Sequence, residues 1–351
     1  MNFFTFEESV VSLYPKEECP VLTYQREKWS KQTPLKDLIV LDCTPVFKNT
    51  LVKHLALITA GAKLYVGISD VMPFDREAVE YLLAMGIPVV RPDERNVIPD
   101  LVLDCAGVFS SWIPTIGSVE LTRSGVQKYI GKKKPVYLAD SGRIKQIETC
   151  LGTGESYFRA MSSLGYDDWN DRRLIVFGSG KVGTGIVTYA HRKGAEVIVV
   201  TDMNHITDSV REKASAIVDY RKHDLVRATV ENAYAVVTAT GIANALEHLC
   251  LRDIISNSTV LLTNMGVEDE YGPSIPTSRV LANKKTLNFI LEEPTRMRYI
   301  DATMALHNEG ACHLSENPLV EGIIIPPAET EEQLLTICRE KGLIGKELEW
   351  I

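Results

Sequence analysis

The sequence predicts an α/β protein made of two doubly wound parallel-sheet domains with a cleft between them, and three observations predict it. Short apolar runs of strand length alternate with longer stretches whose apolar residues recur at helical spacing, which implies parallel strands joined by covering helices. A strand, a glycine-rich turn, a helix and a second strand follow one another between Arg173 and Asp202. At 351 residues the chain is too long for one compact α/β domain and fits two.

Taken in order, residues 38–41 form a short buried-type strand, 47–60 a helix, 62–67 a strand, 75–84 a helix, 87–90 a third strand and 100–104 a fourth. These make up a first α/β domain. The second begins near residue 150. Its central strand runs into Gly178-Ser179-Gly180-Lys181-Val182-Gly183-Thr184-Gly185, a helix follows to Lys193, and the next strand ends at Thr201-Asp202. Residues 216–219, 235–241, 259–264 and 286–290 supply its further strands. Residues 321–325 and a helix over 330–342 are expected to return to the first domain. The expected division is therefore 1–149 plus 316–351 against 150–315.

In the glycine turn each glycine has a mechanical task. Gly178 permits the tight turn, Gly180 lets backbone approach a pyrophosphate, and Gly183 lets the helix pack on the strand. The helix N-terminus, at Lys181 and Val182, is expected to face the anion with the N–H groups of its first turn. An acid about twenty residues beyond is where a ribose-binding carboxylate belongs. Either Thr201 or Asp202 faces the ligand, since a one-residue slip reverses the side chains. Asp202 facing in would accept from both ribose hydroxyls and repel a 2′-phosphate. No arginine follows directly, because the next residues are Met203, Asn204 and His205. The expected cofactor is NAD, with NADP the weaker alternative, on a Rossmann-type domain.

Composition bounds the rest. A formal net charge of −8 argues against nucleic acid as a partner, and Lys132-Lys133-Lys134 is a short run typical of a solvated loop. No stretch approaches the roughly eighteen apolar residues of a membrane span. Seven scattered cysteines without a C-x-x-C pair imply reduced thiols, a cytoplasmic setting and no zinc ribbon. His307 and His313 are too poorly accompanied to suggest a metal site. The Asp167-Asp168-Trp169-Asn170-Asp171 cluster reads as a solvated turn.

The order of motifs resembles S-adenosylhomocysteine hydrolase from about residue 38 to residue 315. The landmarks are Asp100 to Gly107, Gly117 to Gly125, Asp140-Ser141 with Leu151 to Ser156, the glycine turn, Thr240-Gly241, Asn264-Met265-Gly266, and Asn308 to His313. More distantly, the cofactor domain is similar to that of D-2-hydroxyacid dehydrogenases. The resemblance implies that Thr240, Gly241, Asn264, Met265 and Gly266 line the nucleotide, joined by Thr122 and Asn308. It also implies association into a dimer or tetramer.

The hydrolase's proton carriers are largely replaced. Its second aspartate in Asp-Asp-Gly-Gly falls on Cys105, its catalytic lysine on Ile144 with Lys145 beside it, its nearby aspartate on Glu148, and its three threonines on Thr122, Arg123 and Ser124. Each such acid or base typically contributes roughly 10²- to 10⁴-fold. The expected function is therefore an NAD-dependent oxidoreductase acting on a small polar substrate, at a hydroxy/keto or amino/imino group. The alternatives are a non-catalytic NAD-binding regulator and a hydrolase of altered substrate. His313 is the first candidate proton carrier, with His307 its competitor. Lys145 and Glu148, three apart on a helix, and Arg123, a bidentate anion donor, complete the catalytic candidates. Asp104 reads as structural.

Overall fold

The computed structural model describes residues 3–140, 142–256, 258–317 and 320–351. Ser141, from the Asp140-Ser141 landmark, lies outside the described residues. The chain divides into two compact units. Unit 1 comprises Met1–Ile147 and Arg296–Glu349, and unit 2 comprises Glu148–Thr295 and Trp350–Ile351.

Unit 1 opens with two helices that the sequence pattern did not disclose, α1 (Phe3–Val11) and α2 (Pro20–Gln32). There follow β1 (Ile39–Asp42), α3 (Lys48–Thr59), β2 (Lys63–Gly67), α4 (Arg76–Ala84), β3 (Val89–Val90), β4 (Leu101–Asp104), β5 (Gly117–Glu120), α5 (Arg123–Val126), β6 (Val136–Leu138) and α6 (Gly142–Gln146). The Asp75 carboxylate starts α4 by accepting from the Glu77 N–H at 2.8 Å, meeting one of the donors a helix leaves open. Unit 2 contains α7 (Thr153–Ser163), β7 (Arg173–Phe177), α8 (Lys181–Arg192), β8 (Glu196–Thr201), α9 (Asp208–Lys213), β9 (Ala216–Asp219), α10 (His223–Glu231), β10 (Ala235–Thr238), α11 (Arg252–Ser256) and β11 (Leu261–Asn264). The chain then returns to unit 1 with α12 (Met297–Glu316), β12 (Ile323–Ile324) and α13 (Ala328–Lys341).

Among the described residues every strand pair is parallel. The seven-stranded sheet of unit 1 runs β12-β6-β5-β4-β1-β2-β3, and the five-stranded sheet of unit 2 runs β11-β10-β7-β8-β9. Both are doubly wound: the first strand is central, the next two extend one way, and the chain then reverses to build the other side. The point of reversal lies between β1 and β4 in unit 1 and between β7 and β10 in unit 2. Along β7, Leu174 and Val176 enter one apolar cluster while Ile175 and Phe177 enter the other, so the sheet is buried on both faces as parallel sheets require. The strand expected at residues 286–290 shrinks to a single parallel bridge between Asn264 and Thr286, followed by a tight turn at Leu287–Ile290.

Three expectations change here. The return to unit 1 falls at Arg296 rather than at residue 316, because α12 packs on α2, α3 and β5 and buries polar residues as well as apolar ones along most of its length. Asn308 to His313, a landmark from which Asn308 was expected to reach the nucleotide, is instead the later half of this helix. The turn around Asp167–Asp171 is not simply solvated: Trp169 is 2% exposed and meets Phe158 edge-on, with ring centroids 5.0 Å apart.

A π-helical turn, Ile147–Gly152, lies where the chain passes from unit 1 to unit 2. Beyond it α7 packs on α8 through glycines. A methyl group at Gly154 would come within 2.6 Å of the Gly185 backbone, and one at Gly185 would overlap the Cys150 carbonyl.

Candidate nucleotide site

In open α/β sheets ligands bind beyond the carboxyl ends of the strands where the chain reverses. Unit 2 has a cavity of about 610 Å³ at that place. Its wall is formed by Phe177 to Gly180 after β7, Val200 to Asp202 after β8, Tyr220 after β9, and Ala239, Thr240 and Ile242 to Leu246 after β10. Gly178, Ser179, Gly180, Thr201, Asp202 and Thr240 thus meet as the motif spacing predicts. Gly178 has φ of +99°, and a side chain there would overlap the Ala239 carbonyl. Gly183 faces inward, where any Cβ would collide with the Gly178 carbonyl. A methyl group on Gly180, by contrast, would meet nothing within 4 Å. This is an open cradle at the N-cap of α8, with Lys181, Val182 and Gly183 supplying first-turn amides.

At the far end of β8 the choice between Thr201 and Asp202 resolves into two roles. The Thr201 hydroxyl lies 2.8 Å from the Ser179 hydroxyl and ties β8 to the glycine turn. Asp202 accepts from the Asn204 N–H at 3.0 Å and lies 3.3 Å from His205 Nδ1 and 3.3 Å from the Arg221 guanidinium. The Asn204 bond, with Arg221 and His205 nearby, holds its carboxyl below the usual range despite some desolvation. Arg221 is itself gripped by Asp219, Nε to Oδ1 at 2.8 Å and a terminal nitrogen to Oδ2 at 2.9 Å. An arginine absent from the residues following Asp202 is therefore supplied by the end of the next strand.

Asn264, Met265 and Gly266 do not line the cavity. Asn264 is fully buried and organises its turn, accepting from Thr238 Oγ1 at 2.9 Å and donating to the Glu268 and Lys284 carbonyls at 2.8 and 2.7 Å. Glu270, which sequence reasoning missed, is also fully buried. It takes the Thr240 N–H and hydroxyl, both at 2.8 Å, and the Gly241 N–H at 2.7 Å, so it shapes the Thr240-Gly241 turn, of which Thr240 lines the cavity and Gly241 does not.

The remaining candidates fall in unit 1, apart from Glu148, which begins unit 2 inside the π turn. Asn308 is fully buried in α12, its amide 3.4 Å from Gln25 Oε1 and 3.5 Å from the Lys53 carbonyl, so it is a core residue there and no part of the nucleotide cavity. Thr122 caps α5 by accepting from Gly125 N–H at 3.0 Å and donates to Glu120 at 2.7 Å. Lys145 is no surface residue: it is 4% exposed and donates to the Leu121 carbonyl at 3.1 Å. The Arg123 side chain is 73% exposed and 3.5 Å from Asp140. His313 is half-buried, its ring 5.4 Å from that of Tyr137, beside a polar cavity of about 150 Å³ shared with Lys28, Glu309 and Glu316.

At the carboxyl ends of the unit 1 strands the loop amides are occupied internally. Asp42 accepts from Thr44 N–H at 3.1 Å. Asp104 accepts from Cys105 N–H and Tyr129 hydroxyl at 2.8 and 2.6 Å, and Glu120 from the Ala106 and Gly107 N–H groups, both at 3.0 Å. Burial, reinforced by the Glu120 charge, pushes the Asp104 carboxyl up to about 7. Asp42 also meets Lys53 Nζ at 2.5 Å and His54 Nε2 at 3.2 Å, all three fully buried. Burial alone would raise its pKa, but Lys53 and the histidines outweigh it and hold the carboxyl well below the usual range.

All seven thiols are free, and only Cys250 is exposed. Among the described residues no cluster of three His, Cys, Asp or Glu is placed to hold a metal ion, and no helix is long and apolar enough to cross a membrane.

No protein-family model matches the chain, and no curated protein matches it. Among solved structures, a dipicolinate synthase subunit from Bacillus halodurans is similar over 80% of this chain and 98% of its own, at 12% identity and a TM-score of 0.49. The strand order, and not that likeness, establishes two Rossmann-like α/β units.

Proposed function

We propose that the protein binds NAD at the glycine turn of unit 2 and uses it to oxidise or reduce a small polar substrate at a hydroxy/keto or amino/imino group. The observation that carries this reading is the open cradle at Gly180, set at the strand reversal with a carboxylate, Asp202, across the cavity. A pyrophosphate would have room where a methyl group meets nothing, with the first-turn amides of α8 beside it. Asp202 would accept from the adenosine ribose, and Leu246, Leu249 and Ile242 would enclose the adenine. Bound NAD would supply the hydride acceptor or donor.

The substrate's proton needs a separate carrier. We assign this to His313, which is half-buried beside a polar cavity, with Arg123, Lys145 and Glu148 as the remaining candidates for substrate contact. The test is to denature dialysed protein, identify any released nucleotide by mass spectrometry, and follow nicotinamide absorbance across a panel of hydroxy, keto and amino acids. NAD binding with turnover that falls sharply in His313→Gln supports the reading. Failure to bind either dinucleotide overturns it. Binding without turnover would make the protein a nucleotide-responsive regulator, and thiol release from adenosylhomocysteine would make it a hydrolase.

A further inference from the structure

Behind Asp202, which lines one end of the cavity, stands a cation that this carboxylate does not leave free. Arg221 reaches it from beyond β9, with one guanidinium nitrogen 3.3 Å from Asp202 and 2.9 Å from Asp219. His205 Nδ1 lies 3.3 Å from the other Asp202 oxygen, Oδ2. Tyr220, whose ring lies 5.5 Å from the guanidinium carbon, lines the same wall. Two carboxylates, Asp202 and Asp219, thus face one guanidinium, and the three together carry one net negative charge. A ribose hydroxyl pair is compatible with that balance, whereas a 2′-phosphate is repelled.

We propose that Arg221 is a masked 2′-phosphate donor, and that Asp202 selects NAD both by accepting from the ribose and by neutralising this arginine. The proposal rests on the dinucleotide reading above. It places the cofactor choice in three residues from two strand ends rather than in the single acid of the motif. Removing the Asp202 charge while keeping its shape leaves Arg221 held by Asp219 alone, its terminal nitrogen without a second charged partner next to the cavity wall formed by Asp202 and Tyr220. Guanidinium is well suited to a phosphate in that position, since its planar donors form charge-assisted bonds.

The experiment is equilibrium binding of NAD and NADP to four proteins: wild type, Asp202→Asn, Arg221→Ala and the double variant. All the altered side chains are at least partly exposed, and asparagine keeps an acceptor for the Asn204 N–H. The expected result is that wild type prefers NAD, Asp202→Asn tightens NADP by roughly 10- to 100-fold, and the double variant loses that gain. An NADP gain that persists without Arg221 overturns the proposal while leaving the NAD reading intact, as does tighter NADP binding by Arg221→Ala alone. Wild type that binds neither nucleotide overturns both.

Discussion

The two units share one strand plan and treat its reversal point in opposite ways. In unit 2 the loop after the central strand is Gly178-Ser179-Gly180, it lines a cavity of about 610 Å³, and a methyl group at Gly180 touches nothing. In unit 1 the corresponding loops are closed by the chain's own anions: Asp42, Asp104 and Glu120 are each fully buried and hold backbone amides there. The difference teaches that a doubly wound sheet provides donors at its carboxyl edge, and that local sequence decides whether a ligand or a side chain uses them.

The sharpest way to break this comparison is to fill the wrong glycine. Gly183→Val drives a branched side chain into the Gly178 carbonyl, and the cooperative melting of unit 2 is expected to disappear together with nucleotide binding. Next in size is the closed reversal point of unit 1. Lys53→Met strands the buried Asp42 charge, and denaturant unfolding should show a loss of about 3–5 kcal/mol.

Acid titration probes the same core. Burial, with the Lys53 charge adding to it, pushes His307 from 6.5 down to about 3, and its Nε2 donates to the Val119 carbonyl at 3.0 Å. A depressed histidine stays neutral when folded but takes up a proton when unfolded. Its contribution is therefore complete above pH 6.5 and fades as pH falls toward 3, by up to a few kcal/mol. His54, lowered chiefly by burial, acts in the same direction. His307→Gln should flatten the fall in unfolding midpoint over that window, and an unchanged slope would contradict the assignment.

The smallest effect on stability belongs to Gly180→Ala. Its melting temperature should match wild type within a few degrees, while NAD affinity falls at least tenfold, because the added methyl occupies space only a pyrophosphate would use. Equal losses of both would mean that Gly180 serves packing.

The fold was legible because parallel strands buried on both faces leave continuous apolar runs, and β1, β2, β4, β7 and β8 all announce themselves in that way. β5 and β6 do not. Ser118 and Glu120 interrupt one, and the other is only three residues long. The motif located Gly178, Ser179, Gly180, Thr201 and Asp202, whose placement follows from local turn geometry. Arg221 and Glu270 escaped, since each reaches its partner across a strand boundary: Arg221 from β9 to Asp202, Glu270 to Thr240 some thirty residues earlier. The signal for Arg221 was a charge two residues beyond β9, at the same sheet edge as Asp202. Asn308 was misplaced because a motif order carries no information about which unit owns a helix.

Gly185 carries a different kind of message. It ends the glycine-rich run that reads as a nucleotide signature, yet its neighbour is the Cys150 carbonyl in the π turn before α7. Two unrelated constraints are therefore written in the same letter, one chemical and one architectural. A descendant that abandoned its cofactor would be free to replace Gly180 but would still have to keep Gly185, so a count of surviving glycines would overstate how much of the binding function had been inherited.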